Sequence, residues 1–167
     1  MPMRNRSRTL KTSLAVAAIF AVGSATGAVV AISATSDAPT ATYHSLARTV
    51  NPIGAKGRAL GLSRVVIEPG AKIPLHFHEG TQVAYIQRGV LTYTVATGHV
   101  DVMTGPGDDG TFVRRIKAGQ TGKIKPGQWI KEVPSEHHRA NNFGKEKIVI
   151  YLANLLKKDA APSTLVP

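Results

Sequence analysis

The chain has 167 residues, 43% hydrophobic and 19% charged, which suits one globular domain with an appendage and excludes an intrinsically disordered polymer. It contains no cysteine, which excludes a disulfide-held fold, thiolate metal ligands and a thiol nucleophile. The net charge is +11, but the bases are scattered and not interleaved with aromatics, so they read as a solvated surface and not as a nucleic-acid site.

In chain order, Met1–Ser13 carries Arg4, Arg6, Arg8 and Lys11 and no acid, and Leu14–Ser36 carries no charge at all. A basic start followed by an apolar stretch is the layout of a secretory signal peptide. Leu14–Ala34 also approaches the length of a membrane span, so residues 1–36 read as either a cleaved signal or an uncleaved anchor. In both cases the folded part is expected outside the cytoplasm, touching membrane only through this segment. Setting its four bases aside leaves +7 for residues 37–167. Residues 37–44 read as a linker.

From residue 45 to 156 short apolar runs alternate with turn residues. Strands are expected at Gly61–Glu68, Ile73–His78, Thr81–Gln87, Val90–Thr97, His99–Met103 and Thr111–Lys117. Thr121–Lys125, Trp129–Val133, His137–Phe143 and Lys147–Leu156 continue the series. Arg88-Gly89 looks like a hairpin turn, and Thr104–Gly110 a loop. Its Asp108 and Asp109, with Asp101, form an acidic turn that does not match a calcium-loop spacing. Trp129 and Tyr85 are expected to pack the core. Residues 157–167 read as a frayed tail. About ten strands without an amphipathic helix indicate an all-β sandwich or barrel.

The chemistry-bearing segment is Gly70–Gly89. His76 and His78 stand two apart in a strand-like run, so both imidazoles project from one face and can chelate a single ion. Gln82 follows at the start of the next strand. A second segment, Pro126–Asn142, holds His137 and His138, either of which can add a third imidazole from a distant strand.

These two segments resemble the two motifs of the cupin superfamily. The first motif, G-x5-H-x-H-x3,4-E-x6-G, is met in spacing by Gly70, His76, His78 and Gly89, with Gln82 where the glutamate belongs. The second, approximately G-x5-P-x-G-x2-H-x3-N, is met in degenerate form by Pro134, His138 and Asn142, and His137 with Asn141 is a competing register. The resemblance implies a double-stranded β-helix, a jelly-roll-like barrel, with a divalent metal (Fe, Mn, Ni or Zn) held by His76, His78, Gln82 and His138. It implies a small-molecule substrate or ligand, and either a metal-dependent oxygenase or isomerase or a non-catalytic binding module; a homodimer is compatible with it. A neutral Gln82 would leave the site more positive and open to an anionic ligand. It would also lack a general base, for which Glu79 and Glu136 are the candidates. Asn142 is expected to order the second motif's turn.

Overall fold

A computed structural model describes residues 38–167. The expected export segment, residues 1–36, lies outside them. Twelve strands follow in order: β1 (Ala41–Val50), β2 (Arg58–Ile67), β3 (Lys72–Phe77), β4 (Gly80–Arg88), β5 (Leu91–Val95) and β6 (His99–Thr104). Then come β7 (Thr111–Lys117), β8 (Thr121–Ile124), β9 (Gln128–Glu132), β10 (His138–Asn141), β11 (Ile148–Lys157) and β12 (Thr164–Leu165). The expected loop at Thr104–Gly110 contains a single 3-10 turn, Gly107–Asp109.

The strands form two antiparallel sheets. The larger has the order β1-β2-β11-β4-β9-β6-β7 and the smaller β12-β3-β10-β5-β8. Side chains alternate across each strand, so one set meets its counterpart between the sheets. In β4, Gln82, Ala84 and Ile86 are buried while Thr81, Val83 and Tyr85 face out. In β5, Leu91, Tyr93 and Val95 are buried. The core between the sheets includes Ile67, Ile86, Val95, Val102, Ile124, Ile130 and Ile148, all fully buried. Each such side chain contributes roughly 1.5–3 kcal/mol through removal from water.

Four local expectations differ from the structure. Arg88-Gly89 is no hairpin: β4 and β5 belong to different sheets, and Gly89 lets the chain cross between them at φ 75°. A Cβ there would lie 2.8 Å from the Lys147 carbonyl oxygen. β1 begins within the expected linker; it is an edge strand, partly buried over Ala41–His44 and exposed from Ser45 on, and so lacks the alternation that marks buried strands. The tail is not frayed, because β12 pairs with β3 through Thr164↔Phe77 and Leu165↔His76. Tyr85 and its ladder partner Trp129 both sit outside the core, on the outer face of the larger sheet.

Candidate metal centre

The three histidines converge because of strand pairing. β3 and β10 run antiparallel with His76 directly opposite His138. His78 stands just beyond β3, two residues from His76 and on the same inward face. The ring centroids lie 4.3 Å (His76–His138), 5.0 Å (His76–His78) and 5.2 Å (His78–His138) apart. One ligand nitrogen from each ring can be chosen so that all lie within 4.8 Å of one another. Three imidazoles at that spacing can bind a single divalent ion.

Hydrogen bonds decide which nitrogens are free. The Nδ1–H of His76 donates to the Pro74 carbonyl at 2.8 Å, and that of His78 to the Pro162 carbonyl at 2.6 Å. A carbonyl only accepts, so each Nδ1 carries the proton and each Nε2 presents a lone pair. This is the arrangement in which a metal-ligating histidine is oriented by its other nitrogen. The Tyr93 ring stacks on His138 at 4.8 Å. Nδ1 of His138 is buried with no partner among the described residues, and its Nε2 faces Glu132. Burial, reinforced by the neighbouring His138 and His78 rings, pushes His76 down to about 3, and burial keeps His138 below the ordinary imidazole value. Both rings are therefore neutral at neutral pH, the state in which imidazole binds metal.

The larger sheet supplies the other side of the site. Gln82 on β4 is paired across the ladder with Glu132 on β9. Its side-chain amide donates to Glu132 Oε2 at 2.7 Å and lies 3.3 Å from Nε2 of His78. A carboxylate accepts only from the NH2 end of the amide, so Gln82 enters the site as a donor and not through its carbonyl oxygen. The Tyr93 hydroxyl donates to Glu132 Oε1 at 2.8 Å. Burial by itself would raise Glu132, but the His138 and His78 rings and these two donors outweigh it and hold its carboxyl down at about 2.

Glu132 and Tyr93 were not expected beside the histidines because neither belongs to a motif spacing, although Tyr93 alternates with Leu91 and Val95 as an inward residue. A weak signal existed: period-two alternation puts Glu132 on the inward parity of Ile130, where an unpaired acid is unexpected. The acids singled out instead lie elsewhere. Glu79 forms a surface ion pair with Lys157 at 3.2 Å. Glu136 accepts the Val133 backbone N–H at 3.0 Å, and burial pushes it up to about 7, but it does not line the cavity. His137 stacks on Phe77 outside the cluster, which leaves His138 as the third imidazole. Asn142 does order its turn, donating to the Ile67 and Glu146 carbonyls and accepting from Gly144. Asp101 is bound by Arg115 through two hydrogen bonds of 2.6 and 2.7 Å. Trp129 donates to the Gly105 carbonyl at 3.0 Å and lies outside the cavity.

The histidines open onto a cavity of about 670 Å³ counted out to solvent. Val65, Ile73, Ala84, Leu91, Ile150 and Leu152 make its apolar walls, and β1 with Pro162–Ser163 completes them. A barrel of two antiparallel sheets with its histidines inside agrees with sequence comparison, in which the cupin family model matches residues 34–154. The chain belongs to the cupin family. Similar cupin structures include the cupin 2 domain-containing protein from Halorhodospira halophila, 16% identical with a TM-score of 0.48, over 76% of this chain and 70% of that one. The polyketide cyclase RemF from Streptomyces resistomycificus is 16% identical with a TM-score of 0.49, over 76% and 72%. A chain from the structures of the DMSP lyases RdDddP and RnDddQII is 11% identical with a TM-score of 0.50, over 76% and 53%. At these identities the likeness concerns the fold alone. No curated protein matches the sequence.

Proposed function

We propose that this cupin is an exported metal-dependent enzyme, an oxygenase or isomerase, acting on a small and largely apolar organic molecule held inside the barrel. The observation that carries the reading is the convergence of three buried imidazoles, two with Nε2 left unprotonated because Nδ1 donates to a backbone carbonyl, onto one apolar cavity. His76, His78 and His138 would hold the ion, which when bound supplies a Lewis acid that polarises a substrate oxygen. The apolar walls exclude water and favour a substrate with few polar groups.

Glu132 refines the substrate class. A neutral Gln82 by itself suggested a site open to anionic ligands, but the Glu132 carboxylate restores a negative charge beside the histidines. A neutral enol or phenol therefore suits the pocket better than a sugar acid. Export rests on the basic and then uncharged character of residues 1–36.

Metal analysis of the purified protein, with and without His76→Ala, tests the site. One equivalent is expected in the wild type and none in the variant; a wild type that takes up no divalent metal would remove the reading. Oxygen uptake and product formation with catechols and flavonols, against sugar acids as controls, then test turnover. Tight binding of such a compound without turnover would assign the chain to ligand binding instead.

A further inference from the structure

Glu132 is buried, its side chain 4% exposed, and no lysine or arginine pairs with it among the described residues. Its polar partners are the neutral amide of Gln82 and the neutral hydroxyl of Tyr93. Its carboxylate oxygens stand 3.5 Å from Nε2 of His78 and 3.3 Å from Nε2 of His138. The His78 contact sets two acceptors face to face, because Nδ1 of that ring already carries its proton for Pro162. The second amide hydrogen of Gln82 reaches that Nε2 only at 3.3 Å, and a buried anion without a cation costs several kcal/mol unless a positive charge sits beside it.

The separations match such an ion. Two ligand atoms each about 2.1 Å from one tetrahedral metal lie roughly 3.4 Å apart. Gln82 donates to the carboxylate, and Tyr93 holds its other oxygen while stacking on His138. The two sheets thus contribute different parts: β3 and β10 bring imidazoles, and β9 brings charge.

We propose that Glu132 is the anionic donor of the metal site, and that Gln82 and Tyr93 are positioning residues that hold its carboxylate towards the histidines. This rests on the metal-binding reading above. An anionic donor half neutralises a divalent ion, which gives a site with three imidazoles and one carboxylate whose acid comes from β9.

The test is titration of the purified full chain with Co(II), followed by calorimetry and by the visible absorption of the bound ion, which reports its ligand set. Glu132→Gln should weaken binding by about ten-fold or more and shift the spectrum. The exchange variant Gln82→Glu/Glu132→Gln keeps the charge and moves it across one strand pair; it should recover affinity to within a few-fold. If Glu132→Gln keeps wild-type affinity and spectrum while His76→Ala loses the metal, the Glu132 assignment is wrong and the metal reading stands. If the wild type itself binds no Co(II), the metal reading falls first. Should Glu132→Gln fail to fold, Glu132→Asp decides: it keeps the charge but draws the carboxylate back by one methylene, so weaker Co(II) binding with a shifted spectrum supports the assignment, and wild-type affinity and spectrum overturn it.

Discussion

The Nδ1–H of His78 is donated to the carbonyl of Pro162, 84 residues further along the chain, at 2.6 Å. The C-terminal segment is thereby part of the site: Pro162 and Ser163 line the cavity, and β12 then pairs with β3 beside His76. Removing residues 162–167 leaves every strand from β1 to β11 in place. Such a chain should stay folded by circular dichroism yet bind divalent metal about ten-fold more weakly, because His78 loses its orienting partner. Unchanged affinity would show that the ring is held by packing alone.

Tyr93→Phe removes a hydroxyl that donates to a buried carboxylate and leaves the apolar ring in place. The metal-free protein should lose about 1–3 kcal/mol in urea denaturation, the cost of leaving a buried acceptor unpaired. A midpoint equal to that of the wild type would mean that Glu132 Oε1 finds another donor.

Acid should destabilise the metal-free protein. Burial lowers His76 from 6.5 to about 3, so folding favours its neutral form. That contribution is complete above pH 6.5 and is lost as pH falls from there towards 3. Glu132, held at about 2 against an ordinary 4.5, adds a loss in the same direction at lower pH. Urea midpoints measured at about pH 7.5 and about pH 5 should therefore differ, and His76→Gln should flatten the difference. An equal pH dependence in the variant would assign the acid sensitivity to other groups.

Gly80 begins β4 between His78 and Gln82, and a Cβ there would lie 2.3 Å from the Leu155 carbonyl oxygen and 2.6 Å from Leu156 Cα. Both contacts are backbone of β11 and cannot turn aside. Gly80→Ala is expected to cost roughly 1–3 kcal/mol and to weaken metal binding as well, since β4 must shift away from β11. Thermal melts and Co(II) titration of the variant check both parts; wild-type values would show that the turn relaxes locally.

The legible parts were those encoded by local period. Alternation marked ten of the twelve strands, and His76 and His78 shared a face because they stand two apart. The cupin spacing of Gly70, His76, His78 and Gly89 pointed to two of the three histidines that could hold a metal, and Gln82 stood out as the neutral residue in an acid's place. The edge strand β1 and the two-residue β12 escaped because neither carries an inward apolar row of its own.

Strand pairing decided the rest. His137 and His138 are adjacent and so face opposite ways; only the β3–β10 register, with His138 across from His76, selects between them. Glu132 lies 50 residues from Gln82 in the chain and becomes its neighbour only where β4 meets β9. Pro162 reaches His78 only because the tail returns along β3. The sequence by itself determined which residues alternate inward, since that depends on neighbours two positions away. The tertiary structure decided which inward residues meet, because contacts between sheets depend on register, and no local period encodes register.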